Sequence, residues 1–174
     1  MTSHPMDNDN KHLHSTASDE ISRVWNLMEK LDFCMLVSNS DHQFLSRPMS
    51  SICKSDEGLI YFLSNATAEQ LSAINRNSRV LLNYSDASKT FIALTGDATM
   101  SKDRALIKRL WNAGAQAFWP EGPEASDVAV IAVSPQSAEY WDGDMTLVAA
   151  AKMVFALTTG STPDMGDNSK VQMS

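Results

Sequence analysis

The stretch Phe44-Leu45-Ser46-Arg47-Pro48-Met49-Ser50-Ser51 reads as a β-strand with an arginine and a proline side by side in its middle. Proline cannot donate to a ladder and belongs on an edge, at a bulge or at a strand end. Here it is expected to end ladder pairing and leave adjacent main-chain groups free for a ligand. Arginine between Leu45 and Met49 can cover apolar neighbours with its stem, or present its planar fork to phosphate oxygens. The hairpin partner, residues 59–64, brings Ser64 and the following Asn65 to a strand end, and a helix beginning near Thr67 follows at once. Its free amides favour an anion. Arg47, Ser64 and that helix start, with Gln70 nearby, compose a candidate phosphate pocket. Thr67 and Gln70 also have the T-x-x-Q spacing of a capping box, so two roles stay open for Gln70.

Other chemistry finds little support. His4, His12 and His14 lie in a polar N-terminal stretch, and His42 sits in a turn. The chain contains no HExxH, CxxC or GxSxG, the usual signatures of metal or nucleophilic hydrolysis. It contains neither GxGxxG nor GxxxxGK[ST], which argues against a Rossmann site or a P-loop. No metal site is expected and no catalytic side chain stands out. Any reaction is therefore expected to be carried by a bound cofactor. Phe118 and Trp119, in the proline-containing loop 118–127, suit a ligand rim or an interface better than a core.

The elements that must position these residues follow from patterning. Ser18 can cap a helix carrying Ile21, Val24, Trp25, Met28 and Leu31 on one face. Strands are expected at 33–38, 44–53, 59–64, 78–85, 89–100 and 128–141, with a further late strand at 168–173. Helices are expected from Thr67, from a cap at Ser101 and over 145–157. Short polar turns between strands imply antiparallel pairing, and curling removes the exposed edges. The expected fold class is α+β, a six-stranded antiparallel Greek-key split β-barrel with flanking helices.

Composition bounds the rest. The 174 residues carry a net charge of -7, which argues against a nucleic-acid partner, since that is held mainly by clustered Lys and Arg. The apolar run 145–157 contains Lys152 and is too short to span a bilayer, and the N-terminal stretch has no leader pattern. A cytoplasmic protein with buried free Cys34 and Cys53 is expected. The expected organisation is a disordered tail (1–17), one folded domain (18–158) and a C-terminal extension (159–174).

The segments SRPMS, IYFLSNATAEQLSAI, NRNSRVLLNYSD, ALTGDATM, LW, FWPEGPE and SAEYWDG occur in the order found in one family. Across roughly residues 18–158 the chain resembles the pyridoxamine-phosphate-oxidase-like FMN-binding split barrels, and among them the general stress protein group. The resemblance implies a homodimer with FMN in each of two interface clefts. Arg47 would bind the phosphate, and Pro48 and Met49 would present main chain to the isoalloxazine ring. Phe62, Leu63 and Ser64 would line the ribityl and phosphate region, and Trp111, Phe118 and Trp119 of the second subunit would close the ring pocket. Tyr140-Trp141-Asp142 looks like the group's strand-end signature, with a structural role. Gln70 stands where the family usually has a lysine, so it brings a hydrogen bond without charge. With no arginine after Arg109, pyridoxamine phosphate itself is not the expected substrate. The implied activity is a stress-related flavin oxidoreductase with a reduced nicotinamide as candidate donor. The alternative is a non-catalytic protein that stores or senses FMN.

Overall fold

In the computed structural model, which describes residues 16–40, 43–66, 69–87, 90–141 and 168–173, helix α1 (Ala17–Leu31) opens on a capping box. The Thr16 hydroxyl accepts from the Asp19 amide, and the Asp19 carboxylate accepts from the Thr16 amide. The cap therefore lies two residues before the expected Ser18. Val24, Trp25 and Met28 are the buried face of α1, and Asp32 ends it at φ 59°.

Eight strands form one sheet: β1 (Phe33–Ser40), β2 (Gln43–Ser50), β3 (Ile52–Lys54), β4 (Leu59–Asn65), β5 (Arg79–Ser85), β6 (Phe91–Ser101), β7 (Val128–Trp141) and β8 (Asn168–Gln172). The order is β2-β1-β5-β6-β7-β4-β3, with β8 added on β7, and every pairing is antiparallel. The single strand expected over 44–53 is thus two. β2 pairs with β1, placing Arg47 opposite Leu36 and Pro48 opposite Met35. Past Ser51 the chain changes partner, and β3 pairs with β4. One bent stretch so belongs to both ends of the strand path and curls the sheet into a split barrel. Counted as one bent strand, β2 and β3 give the six expected strands, with β8 as the late addition. Pro48 does not end the pairing as expected. The ladder runs on to Ser50, because an edge strand tolerates a residue without an N–H.

Residues directly opposite across a ladder share a face. Leu36, Leu82, Leu94, Ile131, Phe62 and Tyr84 fill the interior, and α2 (Glu69–Arg76) adds Leu71 and Ile74 to it. On the outer face of β4 and β7, Tyr61, Val128 and Val130 pack against Ile107 and Leu110 of α3 (Arg104–Leu110). Asp103 caps α3 by accepting from the Ala105 amide; the expected cap, Ser101, instead ends β6 and accepts from the Asp103 amide. A short helix that patterning did not reveal, α4 (Ala113–Phe118), follows. Tyr140 is buried and its hydroxyl donates to Glu20, the structural role expected of it. Cys34 and Cys53 are free thiols. His42, Thr67, the expected helix over 145–157 and residues 1–15 of the expected tail lie outside the described residues.

The long β6–β7 ladder shifts register between Thr95 and Gly96. A Cβ at Gly96 would stand 2.6 Å from the Ser134 carbonyl oxygen and 2.8 Å from Val133 Cγ1, and the backbone oxygen has nowhere to go. Gly96→Ala is therefore expected to destabilise the fold by about 1–3 kcal/mol, the usual cost of overpacking, read as a lower urea midpoint. An unchanged midpoint would show that the bulge has slack.

Candidate functional site

Asp32 organises the place where the barrel wall splits. Its carbonyl accepts from the Ser51 amide at 2.7 Å and from the Ser51 hydroxyl at 2.8 Å, and its carboxylate accepts from Ser50 Oγ at 3.1 Å. These bonds draw the β2–β3 junction against the end of α1. A groove of about 570 Å³ opens beside the junction, inside the range typical of small-molecule sites. Its floor and near wall are Asp32, Phe33, Pro48, Met49, Ser50 and Ile52. Leu63, Ser64 and Asn65 line it from β4, and Asn112, Gly114, Ala115, Phe118 and Trp119 line it from the region of α4.

The α4 wall is built by local bonds. Asn112 caps the helix, its side-chain oxygen accepting from the Ala115 amide at 2.9 Å. Trp111 Nε1 donates to Gln116 Oε1 at 3.0 Å, and Gln116 Nε2 donates to the Pro120 carbonyl at 3.0 Å. Trp119 stands 6.2 Å from Trp111 and 6.1 Å from Phe118, centroid to centroid, in tilted aromatic contacts. Phe118 is 81% exposed, too open to be a core residue. Arg104 donates to the Pro123 and Ala125 carbonyls, holding the return loop onto α3.

Among residues singled out by sequence, Pro48, Met49, Leu63, Ser64, Phe118 and Trp119 meet in this one groove. Trp111 is not in the lining but makes the tilted ring contact with Trp119. Phe62 does not reach the groove: it is on the same core-facing side as Ser64 but two residues further into β4, fully buried in the barrel interior. Arg47 is exposed and lies outside the groove lining. It is opposite Leu36, and Ser64 is opposite Ala129, so both belong to strand positions on the core-facing side. They flank the seam where β2 approaches β4 without a ladder between them. Ser64 lines the groove as well, and so joins groove to seam. Gln70 lies in the first turn of α2, which starts just past that end of β4; its side chain lies outside the described residues.

Asn65, which the sequence placed beside Ser64 at the strand end, lines the groove too, and patterning missed Asp32, Ser50 and Asn112. Of these, only Asn112 carries a signal, a capping residue ahead of the Ala-rich run 113–117. Asp32 is the one ionisable side chain among the residues lining the groove. The two thiols offer no nucleophile: burial pushes Cys34 up to about 12 and Cys53 up to about 11. No cluster among the described residues could hold a metal ion, and no helix among them is long and apolar enough to cross a membrane.

The back of the site is fastened by a three-residue clamp. Both Glu57 oxygens accept from the Arg109 guanidinium, the Tyr61 hydroxyl donates to Glu57 at 2.6 Å, and Arg109 lies 5.6 Å from the centre of the Tyr61 ring. This ties α3, and with it the approach to α4, to the β3–β4 hairpin.

A family model described as pyridoxamine 5'-phosphate oxidase like matches residues 19–164. No curated protein matches. A solved structure from Jannaschia sp. CCS1, named as a general stress protein 26, is 24% identical, with a TM-score of 0.68 over 89% of this chain and 99% of its own. A Clostridium acetobutylicum protein related to general stress protein 26, of the pyridoxinephosphate oxidase family, is 14% identical, with a TM-score of 0.67 over 87% and 93%. A general stress FMN/FAD binding protein of Xanthomonas citri is 20% identical, with a TM-score of 0.65 over 73% and 91%.

The clamp has a pH signature. Hydrogen bonds from Arg109 and then from Tyr61 lower the Glu57 carboxyl from 4.5 to about 2. A depressed folded-state value contributes stability that is complete above the unfolded value and is lost as pH falls towards the folded one. The contribution of Glu57 is therefore expected to be intact above pH 4.5 and to fade between about 4.5 and 2. NMR titration of the Glu57 carboxyl should give a midpoint near 2, and in Arg109→Met a midpoint closer to 4.5. An ordinary midpoint in the unmutated protein would refute the clamp.

Proposed function

This chain belongs to the pyridoxamine 5'-phosphate oxidase-like family, and from that premise we propose that it is an FMN-binding flavin oxidoreductase with a stress-related role. The observation that carries the reading is the groove itself. Apolar and aromatic side chains from three separate segments meet there around a space of cofactor size, beside a strand edge that carries an arginine. The residues fit the cofactor in two parts. Met49, Leu63, Phe118 and Trp119 offer flat apolar walls to an isoalloxazine ring. At the seam, Arg47 pairs with no carboxylate among the described residues, and with Ser64 it would hold the phosphate. Gln70, in the first turn of α2, would add a neutral hydrogen bond.

When bound, the cofactor supplies hydride or electron transfer. The chain's own residues bind, orient and exclude water: the groove lining offers no histidine, lysine or tyrosine, and Asp32 is its one ionisable group. That sparseness favours one second reading, a non-catalytic FMN holder. Reduced nicotinamide added without oxygen separates the two: the oxidoreductase bleaches its flavin, and the holder stays yellow. We place the second subunit of a homodimer on the outer sheet face, where Phe33, Met35, Phe44 and Phe91 are exposed on outward strand positions and Phe33 belongs to the groove lining. Apolar exposure of this kind marks interfaces.

Purified protein mixed with FMN is expected to retain a flavin absorbance spectrum through gel filtration, whereas colourless protein would overturn the reading. Arg47→Ala is expected to weaken FMN binding by about 1–3 kcal/mol in a fluorescence titration while leaving riboflavin binding unchanged. An equal loss for both ligands would remove the phosphate from Arg47.

A further inference from the structure

Asp32 has a place in the groove that the binding of a ring and a phosphate does not explain. It is a carboxylate in the lining of an otherwise uncharged groove. It is also the sole non-glycine residue with positive φ among the described residues, at 59°, a conformation that costs energy unless the surroundings fix it. They do fix it: Ser51 holds the Asp32 carbonyl by two hydrogen bonds, and Ser50 donates to Oδ1 at 3.1 Å. The Ser50 bond ties Oδ1 to the end of the strand edge that carries Met49 and Pro48. Oδ2 accepts from no described residue. An ionised carboxylate accepts hydrogen bonds and donates none. An oxidised isoalloxazine ring presents acceptors at N1, O2, O4 and N5, and a single donor, the imide N3–H. Of these atoms only N3–H is complementary to Asp32.

We infer that Asp32 is a specificity-determining residue of the groove, accepting the imide N–H of the bound ring and selecting ligands that carry that donor. The inference rests on the FMN reading above. The same negative charge opposes the anion formed when the ring is reduced, so Asp32 also holds the bound flavin at a lower reduction potential than a neutral residue would.

The test uses FMN and its N3-methyl derivative, which lacks the donor, in fluorescence titrations of the full chain and two variants. Asp32→Gly removes the carboxylate and relaxes the positive φ, so loss of folding is not expected. Asp32→Asn keeps an acceptor oxygen. The unmutated protein is expected to bind FMN about tenfold more tightly than N3-methyl-FMN, as for a charge-assisted hydrogen bond. Asp32→Gly should abolish that preference, Asp32→Asn should retain part of it, and the midpoint potential of bound FMN should move positive in Asp32→Gly. Equal preference in the unmutated protein and Asp32→Gly would overturn the inference with FMN binding intact. Failure of the unmutated protein to bind either flavin would instead overturn the reading beneath it.

Discussion

The wall of this barrel is opened by one main-chain carbonyl. Asp32 ends α1 with its oxygen turned to Ser51, and takes both the amide and the hydroxyl of that residue. An amide used in this way is unavailable to a ladder, so the strand that leaves β1 at Ser50 cannot continue beside it and joins β4 from Ile52 onward. A sheet that would otherwise close evenly is left with a seam between β2 and β4. Buried amides need partners, and the helix end supplies this one at the cost of an unusual backbone angle.

The seam separates two chemistries that a single cleft would have to mix. Core-facing strand positions put Arg47 and Ser64 along the two lips of the seam, and α2 starts just past the Ser64 end of β4. Outward positions put Pro48, Ser50 and Ile52 on the groove side, where α4 supplies aromatic cover. A ligand with a flat apolar head and an anionic tail can thread from groove to seam through Ser64, which belongs to both. The Glu57–Arg109–Tyr61 clamp keeps α3 seated on the outer sheet face, and the Arg104 bonds hold the return loop. The groove's cover is thus fastened at both ends of α3, and its shape does not depend on a long free loop.

Much of this was legible in the residues, and the misses have physical causes. Strand alternation and short polar turns pointed to the antiparallel barrel, because burial on one face is written directly into side-chain type. Of the pair Phe118-Trp119, Phe118 stays exposed at the groove as two aromatics beside prolines suggested, while Trp119 lines the groove and also packs half-buried against the outer core cluster. The break at Ser51 was not legible, since serine is compatible with a strand and its bond to Asp32 spans nineteen positions. Proline at 48 drew attention instead, yet an edge position absorbs it without consequence. Phe62 is buried in the interior, whereas Leu63 and Ser64, nearer the end of β4, reach the groove. Asp32 gave no signal because a lone acidic residue after a helix is ordinary; its meaning comes from the strand folded against it.

The central claim is that the seam and the adjoining groove together receive one flavin nucleotide. Backbone amide NMR of the isotope-labelled protein during addition of FMN tests it most directly. The account predicts that shift changes concentrate at residues 47–52, 63–65 and 112–119, covering both the aromatic wall and the Arg47 lip. Changes confined to other strands, or a spectrum that FMN leaves untouched, would contradict it.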